Sequence, residues 1–404
     1  MSVSAIARVH NPFEWLRVDC LQEFNKLKLK KVYSGEDIID LSMINPDIEP
    51  PRFLLDKLVE SSLHTDRHRY AVSRGIRKLR EAFAYKYRTV FNVDLDPETD
   101  ICSVMGSKEG VLNTLSALDS RRSKALLGAP TYSTYQPALD MAGMDYDFFH
   151  ISDDEGKMLA EIDEMTARQS YAVLLLNFPN NPSGVVVSRK FYDELHELAI
   201  KRGFFIINDF VYGEMAYDTG AAESLLATPD AMDHSIEIYS LSKSYSVPGW
   251  RVAAALGNPD LIAKLGRLKS RIDYGIFLPI QDAAAAGLTS TTDLTLPIMD
   301  KYRRRCRMFV SGLRKIGWNV TMPKAGTSVW AEVPEFMGMS GDDLTYSLLE
   351  SFNIVALPGG TFGDAYKNFV RFALVASEDK LQKVLDSLSV LSADSGKGHI
   401  YANS

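Results

Sequence analysis

Cysteine is scarce in this chain. Cys20, Cys102 and Cys306 are the only three in 404 residues, and no two form a C-x-x-C pair. An odd, unpaired set argues against a disulfide framework and against structural zinc, and it suits a reducing compartment. None has a neighbour that would make it a nucleophile, so each is expected to be buried filler, and no metal site is expected. Long apolar runs are also missing, and Met1–Arg8 has no charged segment leading into an apolar core. Neither a membrane span nor a secretory leader is expected, and the reading is a soluble, cytoplasmic protein. Positive charge is not in excess: 45 Lys and Arg against 52 Asp and Glu give a formal net charge of −7. That balance offers no general attraction for nucleic acid or anionic membrane. The dense basic run Lys301-Tyr302-Arg303-Arg304-Arg305 falls in a helical stretch, where a solvated or interface face is expected. Internal repeats and low-complexity tracts are absent, and the polar tail Ser392–Ser404 is expected to be mobile.

What the chain does contain is length and alternation. A chain of 404 residues exceeds what one core usually serves, so two domains are expected. Short apolar runs (Lys124–Gly128, Tyr171–Asn177, Phe204–Asp209, Ile236–Ser240) alternate with helical stretches such as Arg189–Lys201, where Phe191, Leu195, Leu198 and Ala199 recur at helix spacing. This is the pattern of βαβ units and a mostly parallel sheet. Ligands collect outside the carboxyl ends of such strands, and three of these runs end there in polar residues: Asn177, Asp209 and Ser240. After about residue 290 the pattern changes to an amphipathic helix, Leu296–Ile316, followed by strands at Ser328–Val333 and Phe369–Ala373. A second α+β domain is expected there, joined by the N-terminal segment. The boundaries read as 49–288 for the large domain and 1–48 with 289–404 for the small one.

Several short motifs bear chemistry, each with a plainer reading beside it. In Ser240-Leu241-Ser242-Lys243, followed by Pro248-Gly249-Trp250-Arg251, the hydroxyls and the arginine are suited to a phosphate while the lysine is free to form an imine. Taken alone, Ser-x-Ser-Lys reads equally as a surface loop. Asp209 reads as a helix cap or as a carboxylate facing a pyridinium nitrogen, with Tyr212 one turn further on. Asn177–Gly184 reads as a turn or as a ligand loop, and Gly106-Ser107-Lys108-Glu109-Gly110 as a helix start that offers N–H groups to an anion. Arg371, between Val370 and Phe372 in an apolar strand, reads as a strand arginine on a solvated face.

The ordered set Tyr70, Gly106-Ser107-Lys108, Tyr132, Asn177–Gly184, Asp209 with Tyr212, Ser240-x-Ser242-Lys243, Arg251 and Arg371 resembles the class I/II aminotransferases of pyridoxal-phosphate (PLP) fold type I. The resemblance runs from about Asp37 to about Leu391, and Asp273-Tyr274-Gly275 and Ser73-Arg74-Gly75 are especially similar to bacterial alanine (glutamate–pyruvate) and diaminopimelate aminotransferases. It implies an α/β large domain around a mostly parallel seven-stranded sheet, a smaller α+β domain, bound pyridoxal 5'-phosphate and a homodimer. It also implies residue roles. Lys243 holds the cofactor as a Schiff base and shuttles the proton. Asp209 pairs with the ring nitrogen, and Tyr212 and Asn181 contact the ring hydroxyl. Tyr132 stacks on the ring. Gly106, Ser107, Lys108, Ser240, Ser242 and Arg251 cradle the phosphate, joined by Tyr70 from the partner subunit. Arg371 clamps the substrate carboxylate. The expected activity is amino transfer between a small or apolar L-amino acid and a 2-oxo acid, pyruvate or 2-oxoglutarate. Elimination, replacement or carbon–carbon bond formation with the same cofactor is the alternative. Ile44 stands where glycine is usual beside the substrate carboxylate, so a reshaped pocket is expected there. Gly326-Thr327-Ser328, Ile276 and Leu278 are expected to alter the pocket rim.

Overall fold

The computed structural model describes residues 22–118 and 123–395. Cys20, the Met1–Arg8 segment and most of the tail from Ser392 lie outside the described residues. Twelve strands are present: β1 (Ile39–Asp40), β2 (Ile101–Val104), β3 (Lys124–Ala129), β4 (Asp145–His150), β5 (Val173–Leu176), β6 (Phe205–Asp209), β7 (Ser235–Ser240), β8 (Ala253–Gly257), β9 (Ser328–Glu332), β10 (Ile354–Val355), β11 (Leu357–Pro358) and β12 (Phe369–Ala373). The main sheet has the order β2-β8-β7-β6-β5-β3-β4, and β8 alone runs antiparallel to its neighbours. The central strands β5, β7 and β8 are buried along their whole length; β5 and β8 accordingly read as unbroken apolar runs, whereas β7 carries the buried Glu237.

Helices cover both faces. The connection from β3 to β4 steps one way along the sheet, and the helix Glu155–Arg168 carries the chain back across to β5. The order of strands therefore reverses between β3 and β5, opening a crevice at their carboxyl ends where a ligand is received. Helix caps delimit the crossovers: Ser188 accepts from the Phe191 N–H to start Arg189–Arg202, and Gly203, at φ 75°, ends it in the left-handed conformation.

The later part of the chain builds a three-stranded antiparallel sheet, β11-β12-β9, packed on the helices Leu296–Lys315 and Glu378–Ser395. The segment at residues 39–48 belongs with it: β1 pairs with β10, and Leu41 and Ile48 share an apolar cluster with Phe309, Phe372 and Leu388. Cys102 and Cys306 are buried free thiols, as filler should be. The basic run 301–305 is split: Lys301 and Arg304 are exposed, as expected of a solvated face, but the rest departs from expectation. Tyr302 is fully buried, and Arg305 forms a bidentate pair with Asp47 at 2.7 and 2.8 Å while donating to the Leu374 carbonyl at 2.9 Å. Tyr302 and Arg305 lie three residues apart, hence on one helix face, and that face turns inward. Arg305 thus ties the 39–48 segment to the end of β12. Among the described residues, no helix is long and apolar enough to cross a membrane.

Candidate active site

The carboxyl ends of β5, β6 and β7 bring the polar residues together. β6 ends at Asp209, which is 3% exposed. Its Oδ2 accepts from the Tyr135 hydroxyl at 2.7 Å, while the buried Oδ1 has no hydrogen-bond partner. Burial pushes this carboxyl up to about 6, and the hydrogen bond from Tyr135 opposes the shift. Beyond β7, Ser240 caps the short helix Leu241–Ser244 by accepting from the Ser242 N–H at 3.2 Å, and the two hydroxyls lie 3.0 Å apart. That helix carries Lys243, whose Nζ donates to the Ile44 carbonyl. Burial, followed by the charges of Arg371 and Arg251, lowers the amine to about 7.

Arg371 is not a solvated strand residue: it is 3% exposed in the middle strand of the small sheet, beside Trp330 and Leu357. Its Nη1 donates to Asn181 Oδ1 at 3.1 Å and its Nη2 to the Ser42 carbonyl at 2.5 Å, and its guanidinium lies over the Phe362 ring at 5.1 Å. Its buried Nε has no partner. Asn181 comes from the loop after β5, where Asn177 Nδ2 donates to the Asp209 carbonyl at 2.7 Å and Asn177 Oδ1 accepts from the Asn181 N–H at 2.9 Å. The Phe178–Pro179 and Asn181–Pro182 bonds of this loop are cis.

On the other side, the helix Ser107–Ala117 begins after Gly106, which has φ 85° and leaves the helix start without a side-chain cap. A Cβ on Gly106 would overlap the Arg251 guanidinium. Arg251 itself adopts the left-handed conformation, φ 55°, at the end of the Pro248–Trp250 turn. Tyr132 is half-buried with its ring 5.6 Å from that of Tyr135, and burial raises its phenol. Tyr212 is buried and pushed up to about 12, chiefly by burial.

Two residues read as site residues stand apart from this group. Tyr70 is 82% exposed and stacks on Tyr274 at 4.5 Å, away from the protomer's own cluster of site hydrogen bonds. Lys108 is exposed on the first turn of its helix. Ile276 and Leu278 are buried, and the Ile276 carbonyl accepts from Gln281. Sequence reading missed Tyr135, the partner of Asp209. Its only signal is its spacing three residues after Tyr132. It also missed the Ser42 carbonyl. Thr327, expected at the pocket rim, is fully buried, and its hydroxyl bears on Tyr212.

The arrangement sets a near-neutral amine within the field of two guanidinium groups, beside a carboxylate with one unused oxygen. Residues 36–388 match the aminotransferase class I and II family, and the chain belongs to it. It is 34% identical to the glutamate–pyruvate aminotransferase AlaC of Escherichia coli over 91% of this chain and 89% of that one. It is 33% identical to the LL-diaminopimelate aminotransferase of Moorella thermoacetica, over 88% and 90% of the two chains. Among solved structures, substrate-bound BacF from Bacillus subtilis superposes with a TM-score of 0.88 at 29% identity, over 95% of this chain and 98% of that one. The chain is thus an aminotransferase of PLP fold type I, and its cofactor is pyridoxal 5'-phosphate.

Proposed function

We propose that the protein moves an amino group between a small or apolar L-amino acid and a 2-oxo acid, pyruvate or 2-oxoglutarate. In this reading Lys243, Asp209 and Tyr212 carry the chemistry. The observation that carries it is the buried Lys243 amine, lowered to about 7 by burial and then by the charges of Arg371 and Arg251, one arginine for each anion of the reaction. The residues present fit the cofactor. The unpartnered Asp209 Oδ1 suits a protonated ring nitrogen. The Gly106 turn beneath Arg251, with Ser107, Lys108, Ser240 and Ser242, suits a phosphate. When bound, the cofactor supplies a carbonyl that takes up the amino group and a ring that accepts electron density. Lys243, in its neutral form, would hold the cofactor and would move the proton at the substrate Cα. Asp209 holds positive charge on the ring nitrogen. Tyr132 covers the ring, and Tyr212 and Asn181 face the ring hydroxyl. Arg371 grips the α-carboxylate, its unused Nε adding a donor to the fork.

The preference for small or apolar side chains is supported by Ile44, half-buried against the small-domain cluster. The alanine-type relative's name points the same way. In this reading residues 49–288 hold the cofactor, and 1–48 with 289–404 bring Arg371 and Ile44. We further propose a cytoplasmic homodimer in which Tyr70 reaches the partner's phosphate. Tyr70, Val72, Tyr274 and Phe277 form an exposed apolar patch that suits such an interface. A stable, active monomer in sizing and dilution experiments would refute the dimer.

The test is a half-reaction screen: holoenzyme mixed with single amino acids, no acceptor, the cofactor spectrum followed and products identified by mass. Conversion to the pyridoxamine form with the matching oxo acid from alanine or another small apolar donor is expected. Reaction with dicarboxylic or dibasic donors alone would overturn the substrate assignment.

A further inference from the structure

Asp209 has a neighbour whose role the chemistry above does not use. Leu176, Asn208 and Glu237 are register partners across β5, β6 and β7. Their side chains therefore share one face of the sheet, opposite to that of Asp209. Glu237 has no exposed surface. Its Oε1 accepts from the Tyr87 hydroxyl at 2.9 Å and the Ser224 hydroxyl at 2.6 Å. Its Oε2 accepts from the Leu225 N–H at 3.0 Å and from Asn208 Nδ2 at 3.3 Å. Asn208 in turn grips Phe178 at two points: its Oδ1 accepts from the Phe178 N–H at 2.9 Å, and its Nδ2 donates to the Phe178 carbonyl at 3.2 Å, with the Tyr192 hydroxyl a further acceptor for Nδ2 at 3.3 Å.

The direction of the amide is dictated by its surroundings. The N–H groups of Phe178 and Leu225 can only donate, so Asn208 must turn its oxygen to the first, and Oε2 of Glu237 must remain an acceptor for the second. Only the amide nitrogen then fits against Glu237. Phe178 opens the loop that contains Pro179 and Pro182, which have no N–H to give. Much of the loop's backbone is held by side chains, among them Asn208 and Asn177, and its far end sets Asn181 against Arg371.

We propose that Asn208, oriented by Glu237, is a positioning residue for the Asn181–Arg371 pair and so for binding of the substrate α-carboxylate. This rests on the reading of Arg371 as the carboxylate clamp. Neither Asn208 nor Glu237 touches substrate or cofactor; both act through the Phe178–Asn181 loop.

The experiment uses holoenzyme and two amino donors: the best amino acid from the half-reaction screen, and the amine that lacks its carboxylate. In Asn208→Asp a second acceptor faces Glu237 and the Phe178 carbonyl. KM for the amino acid is expected to rise about tenfold, the scale of one lost hydrogen bond. The rate with the amine is expected to fall by a smaller factor, about threefold at most, since the amine meets the ring contact of Asn181 but does not use the clamp. Glu237→Gln should match the parent, because its amide nitrogen can face Tyr87 and Ser224, whose hydroxyls also accept. Equal losses with both donors, or no change with either, would overturn the proposal. Should Asn208→Asp not yield holoenzyme, Asn208→Ser, which removes the clamp without adding charge, decides by the same criterion. A parent enzyme that discriminates no better against the carboxylate-free amine would instead remove the Arg371 reading, and this inference with it.

Discussion

Asp209 and Glu237 are two buried carboxylates on adjacent strands of one sheet, and they face opposite ways. Burial raises both, to about 6 and about 7. Glu237 is surrounded by four donors, and both of its oxygens are satisfied. Asp209 takes its close hydrogen bond from Tyr135 on one oxygen; the Ser107 hydroxyl and the Val211 N–H only partly offset its burial, and Oδ1 is left without a close partner. A buried charge with its hydrogen bonds complete fixes its surroundings, whereas one left incomplete is costly until something binds. The same residue chemistry thus serves structure on one face and awaits a ligand on the other.

The sharpest way to break this comparison is at Asp209. Asp209→Asn removes the charge that faces the ring nitrogen, and the half-reaction rate should fall on the order of 10²–10³-fold, read by stopped-flow absorbance. The same variant should make the apoprotein more stable. Because the folded carboxyl titrates above its unfolded value, the folded state keeps a proton that the unfolded chain has released. Wild-type stability therefore declines as pH rises from about 4 to about 6. At pH 7 the asparagine variant should gain up to about 3 kcal/mol in denaturant unfolding, and the gain should vanish below about pH 4.

Glu237→Leu should do the reverse. It strands donors in the core and should lower stability by about 1–3 kcal/mol for each one left unpaired, while the cofactor absorbance survives. A Glu237 variant that loses the cofactor but keeps its stability would invert the assignment of the two faces. On the Asp209 face, Gly106→Ala drives a methyl into the Arg251 guanidinium and should weaken cofactor affinity about tenfold in equilibrium titration, with helix content unchanged. The smallest effect expected is on pH. Attachment of cofactor to apoprotein needs the neutral Lys243 amine, so its rate should rise as pH passes about 7. Arg251→Gln, which removes one repelling cation, should move that midpoint upward.

The parts of the site on local motifs could be read in advance. The strand ends at Asn177, Asp209 and Ser240, the Gly106 turn and the Lys243 helix each follow from a short stretch of sequence. Arg371 was ambiguous because alternation along β12 gives a face but not what covers it; Phe362, Ser42 and Asn181 decide that it is interior. Arg305 looked solvated because its partner Asp47 lies 258 positions away. Tyr135 and Glu237 gave no warning either, since an isolated tyrosine on a helix or a glutamate in a strand is ordinary, and Tyr87 lies 150 positions from Glu237.

Local sequence determined the alternation of strands and helices, the polar strand ends and the residue types of a PLP enzyme, because hydrophobic period and turn chemistry act over a few residues. Only the tertiary structure decided which carboxylate was complete and which was left with an oxygen lacking a close partner, and that Lys243 is lowered by burial and by the charge of Arg371 from a far part of the chain, with Arg251 adding to it. Burial and hydrogen-bond satisfaction depend on groups brought together from across the chain, and no window of sequence contains them.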